Sequence, residues 1–238
     1  MSSKRPQFIT GEFYHVFNRG VEKRKTFVQI SDYFRFVFCL YELNDKNLVR
    51  MRSRIENRKK KCRGCTPASK ESLVEVIVFC LMPNHYHLIL RQLVDGGISL
   101  FMKKLGDSYV GYFNEKHNRK GMGSLFQGRF KAVHIENDKQ LINLIYYIFI
   151  NPLELLEKNW KEEGVKNHQK AFEFLESYRW SSFLDYIGVS NFPSVTKRDF
   201  IMEFFGSPIK IKEFVESRIL DKTELKKQFN NIKNIILE

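Results

Sequence analysis

Proline and glycine are sparse, six and 13 in 238 residues, which excludes collagen-like and proline-rich low-complexity chains. Long hydrophobic runs are missing too. The longest, residues 76–82 and 142–150, fall well short of the roughly 20 apolar residues that a membrane span needs, so no spanning helix is expected. A basic start, Met1-Ser2-Ser3-Lys4-Arg5-Pro6, has no apolar segment behind it. No secretory leader is therefore expected, and the expected location is the cytoplasm. Cysteine is scarce. Cys39 and Cys80 lie in apolar runs and read as buried free thiols. Cys62 and Cys65 form one CxxC with no second ligand pair at regular spacing, which favours a solvated loop over structural zinc. Acidic residues are also short, 27 against 40 Lys and Arg, leaving a formal charge of +13. Such an excess points to a polyanionic partner. No basic amphipathic anchor helix stands out, so nucleic acid is preferred to an anionic membrane.

What is present is a core-forming composition, 43% apolar and 14% aromatic. The aromatic segment Glu12–Asn18 reads as a strand ending at Asn18-Arg19-Gly20. Residues 33–43 suit a buried helix capped by Ser31 or Asp32. Residues 46–70 form a strongly basic connection or insertion, with a helix running into its first part. Residues 73–82 and 85–92 read as antiparallel strands joined by a tight turn at Pro83-Asn84. A helix follows over 99–116, a short strand over 130–135, and an apolar helix that begins at Asp138 and stops at Asn151-Pro152. The order β-α-β-β-α-β-α is an α+β, ferredoxin-like split βαβ plan. It predicts a core domain over residues 1–155 and a mainly helical C-terminal accessory region over 156–238.

Two patterns carry chemistry. His85 and His87 are two apart on a strand, so both imidazoles lie on one face while Tyr86 goes to the other. Paired neutral imidazoles can hold a divalent cation. They can equally be structural, and spacing alone favours that reading. Tyr147 and Asn151 are four apart on a helix and share a face, whereas the competing Tyr146 lies about 100 degrees round. The plainer readings are a core aromatic and a helix stop. His134 and Glu136 read as ordinary surface groups. Basic and aromatic residues together suit DNA, phosphates to the cations and unpaired bases to the rings. The candidate contacts are Arg19, Lys23, Arg24, Lys25, Arg119, Lys120, Arg129 and Lys131, with Arg129 first.

Met82-Pro83-Asn84-His85-Tyr86-His87-Leu88-Ile89-Leu90 resembles the histidine-hydrophobic-histidine segment of the single-tyrosine HUH transposases. Four more blocks resemble one branch, the REP-associated tyrosine transposases. They are Tyr14-His15-Val16-Phe17-Asn18-Arg19-Gly20, Leu125-Phe126-Gln127-Gly128-Arg129-Phe130, Tyr147-Ile148-Phe149-Ile150-Asn151-Pro152 and Tyr178-Arg179-Trp180-Ser181-Ser182. The blocks cover about residues 8–188. The basic stretch looks longer than the family's usual connection, and the chain after about Ser190 matches no family element.

The resemblance implies that residues 1–155 are the catalytic domain of a metal-dependent enzyme that cuts and joins single-stranded DNA near hairpins. His85, His87 and Asn151 are then ligands of Mg²⁺ or Mn²⁺, and Tyr147 is the nucleophile that forms a 5′-phosphotyrosine. The implied partner is single-stranded or hairpin DNA of the REP-like palindromic kind, bound by a monomer or homodimer. A phenol with an ordinary pKa of about 10 needs help to attack at neutral pH, and a bound cation gives it by stabilising the charge added at phosphorus. Two other readings stay open: a catalytically inactive hairpin-binding protein, which needs no metal, and a nuclease that uses water and leaves no covalent adduct.

Overall fold

The computed structural model describes residues 5–59 and 70–220. The Cys62 and Cys65 pair, the centre of the basic insertion and the tail beyond Leu220 lie outside the described residues. Strand β1 (Phe13–Arg19) leads through a tight loop to α1 (Ile30–Glu42) and α2 (Met51–Lys59). Strands β2 (Val74–Met82) and β3 (His85–Gln92) form the expected hairpin, and α3 (Gly97–Lys116), β4 (Lys131–His134) and α4 (Asp138–Ile150) follow. A 3₁₀ turn (Asn151–Leu155), α5 (Trp160–Glu163), α6 (His168–Ser177), α7 (Phe183–Tyr186), α8 (Asp199–Phe205) and α9 (Pro208–Leu220) complete the described chain.

The sheet has four strands in the order β2-β3-β1-β4, every neighbouring pair antiparallel. That is the split βαβ arrangement the element order predicts. Each strand sends alternate residues to opposite faces. Tyr14, Val16, Phe79, Leu81, Tyr86, Leu88 and Leu90 face α1 and α3 and form one apolar cluster with them. Ile77, Val78, Cys80, Met82 and Ile89 face the other way, onto α4 and apolar residues of α6, α7, α8 and α9. Cys39 and Cys80 are buried free thiols, one on each side.

The cap of α1 differs from expectation. Gln29 is the cap residue, and Asp32 in the first turn accepts from the Gln29 and Val28 backbone N–H groups. Asp32 is fully buried and also accepts from Lys116 and Tyr112. Burial raises its carboxyl pKa, but the bonds from Lys116, Gln29, Val28 and His117 outweigh that and lower it. Asn151-Pro152 also acts differently. It ends the α-helix, yet Asn151 keeps right-handed helical angles and the chain tightens into the 3₁₀ turn with proline near its start.

Edge strand β2 would expose unpaired backbone. The Tyr178–Ser182 segment covers it. Leu81 N–H donates to Trp180 O, Ser182 N–H donates to Phe79 O, and Ser182 Oγ accepts from Phe79 N–H. The Tyr178 and Tyr186 hydroxyls donate to the carbonyls of Leu81 and Ile77. Helix α9 buries Ile211, Val215 and Ile219 against the α4 side. Among the described residues no helix is long and apolar enough to cross a membrane.

Candidate active site

The register of the central strands sets the site. His85 lies opposite Arg19 of β1 and Met82 of β2, and His87 lies opposite Phe17 and Cys80. Both imidazoles point to the face covered by α4. Tyr86 points to the other, where its ring packs 5.0 Å from that of Phe36. Beyond β1, Gly20 is required sterically, because a Cβ there would collide with the carbonyl of Arg24. The chain then passes Glu22 and Lys23 at positive φ, a conformation costly for both residue types, and this close turn sets Lys23 at the rim of the histidines.

Each histidine is held through one ring nitrogen. His85 Nδ1 lies 2.6 Å from Asn84 Oδ1. An amide oxygen only accepts, so Nδ1 carries the proton and donates. His87 Nδ1 lies 2.9 Å from His15 Nε2, and the two rings stack with centroids 5.1 Å apart. His87 is 2% exposed, and its Nε2 has no hydrogen-bond partner among the described residues. Burial, then the nearby His85, His15, Lys161 and Arg19, push the His87 pKa well below the usual histidine value. Its imidazole is therefore neutral at neutral pH, the state in which a ring nitrogen can ligate a cation.

Helix α4 places Tyr147 on this pair. The Tyr147 ring meets His87 edge to face, centroids 5.7 Å apart at 86°. Tyr146, one position earlier, packs against Phe214 and under Arg218 of α9 instead. Asn151 is 1% exposed, and its Oδ1 has no hydrogen-bond partner among the described residues. His85 and Asn151 border one cleft of 580 Å³ together with Arg19, Lys23, Lys25, Lys158 and Lys161. His87 borders an adjoining cleft of 190 Å³ with His85, Arg19, Lys23 and Lys131.

The donor set could hold a divalent ion, although imidazoles are softer ligands than Mg²⁺ prefers. It supplies two oriented imidazoles and an amide oxygen, with a buried nitrogen and a buried oxygen that have no partner among the described residues. Among the described residues no group of three or more His, Cys, Asp or Glu assembles. Asn84, Asn151 and Asn159 border the cleft with His85; Asn84 Oδ1 accepts from His85 Nδ1, whereas Asn151 Oδ1 is buried and has no partner among the described residues.

The other candidates separate. Arg19, Lys23, Lys25 and Lys131 ring the histidine clefts. Arg24 is half-buried and donates to Val21 O and Glu22, within its own loop. Arg119 is buried, and its guanidinium donates to Asn114 Oδ1 and Met122 O, so it ties the end of α3 to the next loop. Lys120 is exposed in that loop. Arg129 is exposed beside Gly128, whose φ of +101° favours glycine, and borders a separate 780 Å³ cleft toward α3. His134 bonds to Glu12 at the far end of β1, away from His85, and Glu136 is exposed.

Residues 43–150 match the family model for IS200-like transposases. That segment resembles a transposase. It contains both histidines and Tyr147, and the resemblance read from the motifs is borne out over it. A solved structure of the REP-associated tyrosine transposase bound to a REP hairpin aligns with 84% of this chain and 93% of its own length. The identity is 18% and the TM-score 0.49. No curated protein matches the chain.

Sequence reasoning missed three residues of this transposase-like segment and its surroundings. Asn84 and His15 anchor the histidine rings. Alternation along β1 sets His15 on the face opposite Tyr14 and Val16, but only the β1–β3 register brings it to His87. Lys161 lies against Tyr147 with no periodic signal, because the 3₁₀ turn and the bend before α5 carry it back.

Proposed function

We propose that this chain is a REP-associated tyrosine transposase that cuts and joins single-stranded DNA beside hairpins. The observation that carries the reading is the meeting of Tyr147 with His87 on one sheet face, beside His85 and the unpartnered Asn151 Oδ1. His87 Nε2 and Asn151 Oδ1 share their lack of a partner among the described residues with core hydroxyls such as those of Thr26 and Thr196, so it is their place beside His85 and Tyr147 that supports the reading.

His85, His87 and Asn151 would hold Mg²⁺ or Mn²⁺. Bound there, the ion supplies Lewis-acid stabilisation of charge on the scissile phosphate. Arg19, Lys23, Lys25 and Lys131 bind the flanking phosphates and set the strand over the cleft. Tyr147 Oη bonds to phosphorus as the bond to the 3′ oxygen breaks. The phenolic proton passes to water, and the 3′ oxygen leaves as a hydroxyl after taking a proton from water. The phosphotyrosine keeps the phosphodiester energy, so a 3′-hydroxyl can reverse the step and join strands. The hairpin preference rests on the five motif blocks.

The test is incubation with Mn²⁺ and a panel of labelled, hairpin-bearing single-stranded oligonucleotides. A covalent protein–DNA adduct that disappears in Tyr147→Phe supports the proposal. Tight hairpin binding with neither adduct nor nick favours the inactive binder.

A further inference from the structure

We infer that Lys161 grips the phosphate joined to Tyr147 and so acts as a catalytic residue; the inference rests on the tyrosine-nucleophile reading above. Lys161 Nζ lies 3.5 Å from Tyr147 Oη and 5.4 Å from the centre of its ring. Tyr147 is 1% exposed, whereas the Lys161 side chain keeps 23% exposure and borders the cleft of His85 and Asn151. The placement is built. Trp160, the preceding residue, is buried in the core on the α4 side and anchors α5 there. Glu154, on the 3₁₀ turn that follows α4, holds a carboxylate oxygen 3.8 Å from Nζ.

Oη is the atom to which phosphorus must bond, so the non-bridging oxygens of the new ester fall within reach of an ammonium already beside it. In the resting arrangement Lys161 donates to Oη. When the scissile phosphate arrives, Oη spends its lone pair on phosphorus, and the same N–H group turns to a phosphate oxygen. Negative charge grows there during attack, and a fixed cation stabilises it more than the starting phosphodiester. Lys161 keeps its proton throughout. The phenolic proton goes to water, the Oη–P bond forms, and the P–O3′ bond breaks. Because joining retraces the same step, Lys161 serves both directions. A surface ion pair with Glu154 alone would be worth little and would leave the rate of cutting unchanged.

The experiment compares Lys161→Gln, Lys161→Arg, Tyr147→Phe and the parent chain under single-turnover conditions with Mn²⁺ and hairpin-bearing single-stranded DNA. Glutamine keeps most of the stem over the ring and removes the charge. The expected result is about a 100-fold slower adduct in Lys161→Gln, the size typical of losing one stabilising donor. Lys161→Arg should recover part of the rate. Hairpin affinity, Mn²⁺ affinity and thermal unfolding should stay near the parent's, which a merely structural lysine would not combine with a slow step. If Lys161→Gln forms adduct at the parent's rate while Tyr147→Phe forms none, the role of Lys161 is overturned and the tyrosine reading stands. Should the parent form no adduct with any oligonucleotide, both fall.

Discussion

The Nε2 of His15 and the Nδ1 of His87 lie 2.9 Å apart between neighbouring strands, with the two rings nearly parallel at 13°. If His87 donates this bond, its proton is held on Nδ1 and the buried Nε2 keeps its lone pair for a ligand. His15 then acts through His87 and touches neither DNA nor cation. His15→Ala should lower Mn²⁺ affinity about 10–100-fold, the range typical of losing an orienting partner, while hairpin binding stays near the parent's. Titration calorimetry with the ion alone checks this. Unchanged affinity would reduce the His15–His87 bond to packing.

His85 and His87 should differ on substitution although both face the same cleft. His85 is half-buried at the rim, so His85→Ala should cost ion affinity and cutting with little loss of fold. His87→Ala removes a buried ring together with its bond to His15, adding about 1–3 kcal/mol of destabilisation. Urea unfolding of the two variants measures the difference. Equal destabilisation would contradict these placements.

Asp32 gives a prediction about pH that is independent of catalysis. Its folded pKa is lowered, so its stabilisation is fully present above the unfolded value of about 3.9 and is lost as pH falls through the folded value. Asp32→Asn should destabilise the protein at neutral pH by about 1.5–3 kcal/mol, the scale of bonds to a charged group. The gap to the parent should narrow as the solution becomes strongly acid. Unfolding curves across that range test it, and a gap that widens would show the sign to be wrong.

Two arginines separate DNA contact from structure. Arg129 is exposed on the Gln127–Arg129 turn, whereas Arg119 is buried on Asn114 and Met122. Arg129→Ala should weaken hairpin binding and reduce the salt slope by about 0.7–0.9 for a lost phosphate contact. Arg119→Ala should lower stability and leave the slope alone. Binding measured over a salt series distinguishes them, and the reverse pattern would exchange their roles.

The sequence shows its local features well and its long-range ones poorly. Pro83-Asn84 breaks two apolar runs, and β3 begins and ends where the alternation says it should. The cap of α1 is misplaced because Asp32 works backwards from the first turn, which resembles an ordinary cap in sequence. The histidine and tyrosine faces follow from periods of two and of about 3.6 residues. His15, Lys161 and the covering of β2 by Trp180–Ser182 have no such period, since each depends on segments distant in sequence meeting in space. Arg119 carries the same charge as Arg129, and only burial tells them apart.

Mass spectrometry of the digested protein–DNA complex tests the tyrosine most directly. After reaction with Mn²⁺ and hairpin-bearing single-stranded DNA, one peptide should carry a 5′-linked nucleotide on Tyr147. Nucleotide on Tyr146, or nicked DNA with no modified peptide at all, would contradict the assignment of Tyr147 as the attacking group.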